Sequence, residues 1–150
     1  MADATSFARV DGVSVPLRAA MTGYLDRAAG HHAIQRVRRV AQEALALGLG
    51  QRVLDAGCGL GEVARSLAVA VGSEGEVHAV DTSQVLIDEA RRRLRNDPPP
   101  PESARIRYAL GDVTELPFAD GTFDAVRCER VLQHLAEPDR AVTELVRVTG

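Results

Sequence analysis

Acidic side chains mark the ends of the short apolar segments in this sequence. Three of the four segments end in aspartate, and the fourth is followed directly by glutamate. Carboxylates accept hydrogen bonds from hydroxyl and amino groups, and they attract cations. Because the carboxyl ends of parallel strands lie at one edge of a sheet, where such sheets bind ligands, these side chains predict a binding site. They are Asp55, Asp81, Asp112 and Glu129.

A glycine turn directly follows the first of these acids. Gly57, Gly59 and Gly61 form a G-x-G-x-G pattern, which allows a sharp turn and a close approach of backbone to ligand. The dinucleotide fingerprint G-x-G-x-x-G would place glycine at position 62, where this chain has Glu62. A carboxylate in the first turn of the next helix would repel a phosphate. The turn therefore favours an uncharged or cationic ligand, and a glycine turn without any ligand is the alternative.

The positions of the acids suggest the parts of that ligand. Asp81 can accept hydrogen bonds from both hydroxyls of a ribose, or it can cap the helix that follows. Asp112 can accept from an adenine amino group while the Val113 amide donates to a ring nitrogen, and a simple turn aspartate is the alternative. Asp55 can hold an ammonium, directly or through water. Together these groups describe a ligand with a ribose, an adenine and a positive charge, and without phosphate.

The elements that position these residues follow from hydrophobic periodicity. Short apolar segments alternate with helical patterns, which predicts an α/β fold with a parallel sheet and helices on both faces. Four prolines at 98–101 predict an exposed loop in polyproline geometry, and the first ten residues are expected to be loosely ordered. We predict strands over 52–55, 77–81, 105–110 and 123–128, and helices over about 31–47, 62–71, 84–94 and 138–148.

Composition narrows the class of protein. The 150 residues suit one domain, and none of the apolar runs approaches the roughly 18 residues of a membrane-spanning helix. A net charge of -3 argues against a nucleic-acid partner. Two cysteines exclude a disulfide framework, and no cluster of His, Cys and Asp has metal-ligand spacing. The start of the chain has no secretory signal, so we expect a cytoplasmic protein.

Four segments together resemble a known family. VLDAGCGLG (53–61), VHAVDTS (77–83), ALGDVTELPFADGTFDAV (109–126) and ERVLQHL (129–135) are similar to class I S-adenosylmethionine-dependent methyltransferases, in particular the ubiquinone- and menaquinone-methyltransferase-like small-molecule branch. The resemblance covers about 45–150. It implies a Rossmann-like sheet that corresponds to strands one to four of a seven-stranded fold, with the order 3-2-1-4-5-7-6.

The same resemblance implies S-adenosylmethionine as the cofactor and a division within one domain. Residues 1–47 would form an N-terminal helical segment that acts as a lid, and 48–150 the cofactor-binding core. Tyr24 of the lid is a candidate for the methionine carboxylate, with plain packing as the alternative. The other cofactor-binding residues that the resemblance implies are Asp55, Gly57, Cys58, Gly59, Gly61, Asp81, Thr82, Asp112, Val113 and Glu129.

His134 lies after the fourth predicted strand, where an acceptor would bind. Its ordinary pKa of ~6.5 suits a general base, and a role in lining the pocket is the alternative. The proposed reaction is methyl transfer to a small molecule by in-line displacement. A cofactor-binding fragment or partner subunit without its own activity is the second hypothesis, and a nicotinamide-dependent oxidoreductase is disfavoured by Glu62.

The chain ends where members of this family continue into further strands. The fourth strand, with Phe123, Ala125 and Val126, would then be an uncovered apolar edge. Uncovered edges pair with other chains, so we expect the protein to self-associate through this strand.

Overall fold

A four-stranded parallel sheet forms the centre of the molecule. The computed structural model describes residues 7–150, with side chains from residue 10 onward, and its strand order is β3-β2-β1-β4. The strands are β1 (Arg52–Ala56), β2 (Glu76–Asp81), β3 (Arg105–Leu110) and β4 (Ala125–Cys128). The helices are α1 (Val15–Gly30), α2 (His32–Ala44), α3 (Glu62–Val71), α4 (Gln84–Asn96) and α5 (Pro138–Val148).

The register of the strands brings their carboxyl ends to one edge of the sheet. Ala56 of β1 is opposite Val80 of β2 and Cys128 of β4, and Asp81 of β2 is opposite Leu110 of β3. The order 3-2-1-4 and the parallel pairing confirm the predicted Rossmann-like fold. The residues that immediately follow each strand therefore share this edge.

Apolar side chains cover both faces of the sheet. Because successive strand residues point to opposite faces, Val53 and Leu54 of β1 lie in two different core clusters, and both are fully buried. Val53 shares its cluster with Leu67 of α3 and Ile87 of α4, while Leu54 shares the other with Val148 of α5. The predicted helices on both faces are confirmed.

The N-terminal segment differs in two ways from its predicted form. The helix predicted over about 31–47 is α2, which ends at Ala44, and a helix that was not predicted, α1, precedes it. The two are separated at His31, whose Nδ1 accepts a hydrogen bond from the Ala33 amide at 3.3 Å. The chain also forms a 3-10 helix over Phe7–Gly12, and Val10 within it is 1% exposed. The predicted loose order is therefore wrong for residues 7–10, and residues 1–6 lie outside the described part.

The fourth strand is shorter than predicted, and its apolar side chains are covered. Phe123 makes a single bridge to Thr149 before β4 begins at Ala125. Phe123 is 1% exposed and lies in the cluster beneath α5, and Ala125 is 8% exposed. The expectation of an uncovered edge is wrong for Phe123 and Ala125, whereas Val126 is half-buried and β4 does lie at the edge of the described sheet.

The proline loop matches its prediction, and α3 and α5 have their predicted bounds, whereas α4 continues two residues further than predicted. The four prolines at 98–101 lie outside helices and strands, with three of them exposed. Within residues 7–150, no helix combines the length and the apolar character needed to cross a membrane.

Candidate functional site

A cavity of about 520 Å³ opens at the carboxyl edge of the sheet, a volume typical of small-ligand sites. The helix α1 contributes its upper wall, the glycine turn its floor, and the loop after β4 one end. Two predicted residues, Gly61 and Asp112, do not line it. The predicted residues that do line it are Tyr24, Asp55, Gly57, Cys58, Gly59, Asp81, Thr82, Val113, Glu129 and His134.

The glycine turn needs its glycines for two different reasons. All three have positive φ angles, of 81° at Gly57, 52° at Gly59 and 87° at Gly61. A β-carbon at Gly57 would overlap Val131, and one at Gly61 would overlap the Tyr108 hydroxyl. A β-carbon at Gly59 would meet no atom within 4 Å, although Gly59 lines the cavity. Gly57 and Gly61 are therefore needed for the packing of the fold, whereas the missing side chain at Gly59 leaves space in the cavity.

Asp81 holds the glycine turn against the end of β2. Its Oδ2 accepts a hydrogen bond from the Gly59 amide at 2.9 Å, and its Oδ1 accepts from the Ser83 amide at 3.0 Å. Burial raises the pKa of this carboxyl above its ordinary value. Ser83, and not Asp81, is the N-cap of α4, because its hydroxyl accepts from the Leu86 amide at 3.2 Å. Each oxygen of Asp81 has a second lone pair that a ligand hydroxyl can use.

Asp55 is the most deeply buried acid of the site. It is 2% exposed, and its Oδ2 has no hydrogen-bond partner among the described residues. Burial raises the pKa of this carboxyl to about 7, although Arg127 opposes the shift and Glu129 adds to it. A buried carboxylate without a partner costs several kcal/mol unless it is protonated or meets a cation. The cavity therefore offers an acceptor for a positively charged donor.

Glu129 lies at the centre of an arginine cluster at one end of the cavity. Its Oε1 accepts from Arg38 Nε at 2.8 Å, and its Oε2 accepts from Arg127 at 2.7 Å. Arg127 also donates to the Arg38 carbonyl at 3.2 Å, which ties β4 to α2. The sequence pattern pointed to Glu129 but missed both arginines. An arginine inside a short buried strand was the available signal for Arg127, whereas nothing in the helical pattern distinguishes Arg38.

Asp112 turns away from the cavity. It is exposed, and its Oδ1 accepts from both the amide and the hydroxyl of Thr114, at 2.8 and 2.7 Å. Its neighbours Gly111 and Val113 do line the cavity. The structure thus favours the turn-aspartate alternative for the Asp112 carboxylate, while its contact with adenine stays a prediction.

The remaining candidates lie at the rim and in the turn. His134 belongs to a short 3-10 helix, Leu132–His134, and its Nε2 is 3.1 Å from Gln133 Nε2. Tyr24 of α1 is half exposed. Burial raises the pKa of the Cys58 thiol well above its usual range and that of Cys128 to about 11, so both thiols are protonated and poor nucleophiles at neutral pH. Within the described side chains, no three His, Cys, Asp or Glu groups converge for a metal ion.

The sequence matches one family model and several curated proteins. The family model described as a methyltransferase domain matches residues 54–150. An uncharacterized 37.1 kDa protein in transposon TN4556 of Streptomyces fradiae is 40% identical over 125 residues, which are 83% of this chain and 34% of that protein. A 2-phytyl-1,4-naphtoquinone methyltransferase of Trichormus variabilis is 37% identical over 99 residues, which are 66% of this chain and 42% of that protein. The chain spans between about a third and a half of the length of such curated relatives.

Solved structures share the fold. SpnF, a (4+2)-cyclase, matches 77% of this chain and 41% of its own with a TM-score of 0.67 and 30% identity. A SAM-dependent methyltransferase from Aquifex aeolicus matches 75% of this chain and 57% of its own with a TM-score of 0.65 and 24% identity, which supports the fold alone. The match to the family model covers more than half of the chain and includes the glycine turn and the acids at the sheet edge, so it establishes the family. The chain belongs to the methyltransferase domain family, within the class I S-adenosylmethionine-dependent methyltransferases.

Proposed function

We propose that this chain binds S-adenosylmethionine in the cavity and transfers its methyl group to a small-molecule acceptor. The observation that carries this proposal is Asp55, a buried carboxylate that lines the cavity and has one oxygen without a partner among residues 10–150. The ammonium of the cofactor supplies the cation and the hydrogen-bond donor that this oxygen lacks.

The other cofactor contacts follow from the floor of the cavity. Asp81 would accept hydrogen bonds from the ribose hydroxyls through its second lone pairs, and Thr82 lies beside it. Gly57 and Gly59 allow the backbone to approach the ligand closely, and Val113, which is 3% exposed, would lie against the adenine. Glu62 lines the same floor and disfavours a phosphate.

Methyl transfer requires few chemical contributions from the protein. The sulfonium of the cofactor supplies an activated methyl carbon, so the chain has to align an acceptor with it and exclude water. His134 lines the end of the cavity beyond Glu129, where it can accept a proton from an acceptor that must lose one. An acceptor that is already a nucleophile would need His134 only as part of the wall.

The lining of the cavity favours an apolar acceptor. Met21 and Leu25 of α1 and Val131 and Leu135 beyond β4 all line it. The relative from Trichormus variabilis carries the name of a naphthoquinone methyltransferase. A small aromatic acceptor is therefore the first class to test.

Calorimetric titration tests the cofactor. S-adenosylhomocysteine should bind and NAD should not, because Glu62 repels a diphosphate. Asp81→Asn should weaken S-adenosylhomocysteine by about 1–3 kcal/mol, since an amide accepts fewer hydrogen bonds from ribose. Asp88→Asn on the exposed side of α4 is the matched control. Tight NAD binding, or equal affinities of wild type and Asp81→Asn, would contradict the proposal.

Turnover separates activity from binding. Incubation of the chain with S-adenosylmethionine and quinol acceptors should give methylated product. Cofactor binding without product would instead favour the partner-subunit hypothesis. We further propose a cytoplasmic setting and self-association through the edge of β4, and sedimentation velocity at increasing protein concentration tests the latter.

A further inference from the structure

Arg130 has an unusual backbone conformation at the acceptor end of the cavity. Its φ angle is +56°, and Ala46 is the only other non-glycine residue of the described chain with a positive φ. A non-glycine side chain in this left-handed region is strained. Such strain persists only where the surrounding structure holds it, and it is concentrated at ligand sites. Arg130 lines the cavity, which links its strain to the site.

The guanidinium of Arg130 is poorly matched by the charges around it. Its one ion pair among the described residues is with Glu129 Oε1 at 3.7 Å, beyond hydrogen-bond distance. That oxygen already accepts from Arg38 at 2.8 Å, and the other oxygen of Glu129 accepts from Arg127 at 2.7 Å. No hydrogen bond from the Arg130 side chain to another described residue is observed.

Three arginines therefore share one glutamate at this end of the cavity. Asp55 is the other nearby acid, and it interacts electrostatically with both Arg127 and Glu129. When Asp55 is ionised, these five side chains carry a net charge of +1, and an ammonium that faces Asp55 raises it to +2. Arginine presents five N–H donors in a planar fork that matches a carboxylate.

From this geometry we infer that Arg130 forms an anion-binding subsite for a carboxylate, phenolate or similar oxyanion of a bound ligand. The inference rests on the proposed function, since it concerns the same cavity. Two ligands carry this chemistry: the amino-acid end of the cofactor and an acidic acceptor. In either case Arg130 acts by orienting the ligand, because the reaction needs no cation from it.

Two pairs of probes distinguish these sources. S-adenosylhomocysteine and 5′-deoxy-5′-methylthioadenosine share adenine and ribose, but only the first has the amino-acid end. 2-Naphthoate and 2-naphthamide share a ring system, but only the first is an anion. Calorimetry would measure the first pair on the free protein, and the second pair on the free and on the S-adenosylhomocysteine-saturated protein. The variants are Arg130→Gln and Arg130→Lys, with Arg140→Gln on the exposed face of α5 as control.

For each pair, the preference is the ratio of the affinity for the anionic probe to that for its partner. At least one of these two ratios should fall about tenfold in Arg130→Gln, recover partly in Arg130→Lys and stay unchanged in Arg140→Gln. A lost preference for S-adenosylhomocysteine over methylthioadenosine assigns Arg130 to the cofactor carboxylate. A lost preference for naphthoate over naphthamide assigns it to the acceptor. Both preferences unchanged, or no preference for either anionic probe in the wild type, would overturn the inference.

Melting temperatures distinguish ligand binding by Arg130 from a purely structural role. Arg130→Gly removes the guanidinium and also relieves the strain at φ +56°. It should melt about 2–4 °C above Arg130→Gln while losing the same anion preference. If S-adenosylhomocysteine fails to bind the wild type, the proposed function fails, but loss of naphthoate binding to free Arg130→Gln would still support the anion subsite.

Discussion

The floor and the cover of the cavity differ in how much apolar surface they bury. The floor belongs to the sheet and α3, which buries five residues, from Val63 to Val71. The cover is formed by residues 7–44, in which α1 buries only Met21 and α2 buries none. Hydrophobic burial scales with the apolar area removed from water, so the floor is stable without ligand. The cover is held by polar attachments and by one small apolar cluster, in which Val10 and Met21 pack with Leu60 and Leu86.

Besides Gln42 of α2, which is hydrogen-bonded to Ser66 of α3, three polar attachments connect the cover to the floor. At the N-terminus of α4, Asp11 accepts a hydrogen bond from the Ser83 hydroxyl and another from the Gln84 amide, the latter at 2.7 Å. Asp26 of α1 forms an ion pair with Arg93 of α4 at 2.6 Å, and Arg38 of α2 pairs with Glu129. Partly exposed ion pairs contribute little to stability, and weakly buried segments open locally at low cost. The comparison teaches that the floor is the more firmly packed region, and we expect the cover to open when a ligand enters.

The largest effect should come from removing a buried side chain of the floor. Leu54→Ala in β1 should lower the free energy of unfolding by about 3–4 kcal/mol, because Leu54 is fully buried and the cavity left behind is not refilled. Met21→Ala in α1, its counterpart in the cover, should increase proteolysis of 7–44 with little change in unfolding of the sheet. Chemical denaturation and limited proteolysis measure the two effects. Equal loss of global stability in both variants would show that floor and cover fold as one unit.

The two glycines of the floor should respond differently to a methyl group. Gly61→Ala should destabilise the fold by about 3 kcal/mol, because the new β-carbon overlaps the Tyr108 hydroxyl in addition to the strain at φ 87°. Gly59→Ala should cost only about 1 kcal/mol of strain but should weaken S-adenosylhomocysteine. Thermal melts and calorimetry on both variants test this contrast. Normal cofactor affinity in Gly59→Ala would mean that the ligand does not approach this backbone.

Asp55 should make the stability of the empty floor depend on pH. The pKa is 3.8 in the unfolded chain and about 7 in the fold, so the folded state retains a proton that the unfolded state loses. Stability should therefore fall as pH rises from about 4 to 7 and stay low above that. Asp55→Asn should remove this dependence and stabilise the ligand-free protein by about 2–4 kcal/mol at pH 8, because the difference between pKa values of 3.8 and about 7 corresponds to about 4 kcal/mol and the buried amide offsets part of it. Denaturation curves at pH 4 and pH 8 measure it, and an Asn variant that is less stable at pH 8 would contradict the burial argument.

The same carboxyl should give cofactor binding the opposite trend. An ammonium favours the ionised form, so S-adenosylhomocysteine affinity should fall as pH decreases below about 7 and binding should release protons. Asp55→Asn should weaken binding at pH 8 by about 1.5–3 kcal/mol, the worth of a hydrogen bond to a charged group. Calorimetry in buffers of different ionisation enthalpy measures the proton release. A pH-independent affinity would exclude a cationic contact at Asp55.

The smallest effect should come from an attachment of the cover. Asp26→Asn removes the partner of Arg93, whose side chain also pairs with Glu89 at 2.8 Å and Glu62 at 3.3 Å. Because Asp26 is about half exposed, global stability should change by less than about 0.5 kcal/mol. Amide hydrogen exchange in α1 should nevertheless become faster. Unchanged exchange in α1 would mean that this ion pair does not hold the cover.

Local patterns in the sequence determined the sheet and most of the floor. The alternation of apolar strands with amphipathic helices predicted all four strands, because periodicity reports directly which face is buried. The glycine turn after Asp55 could be located in the same way, since φ angles above +50° at three alternate positions favour glycine. The acids at the strand ends then followed from the rule that parallel strands share one edge.

Only the tertiary structure decided the rest, because it depends on partners that are distant in the chain. Glu129 meets Arg38 across 91 positions, so no local pattern reveals which arginines surround it. Asp112 turned to its own loop because Thr114 offers two donors at short range. The helix α1 was not predicted, because it buries only Met21 and its sequence therefore carries little apolar periodicity. Asp55 was visible as an acid, but its burial and its unpartnered oxygen, which give it a pKa near 7, arise only when the strands and the arginine cluster close around it.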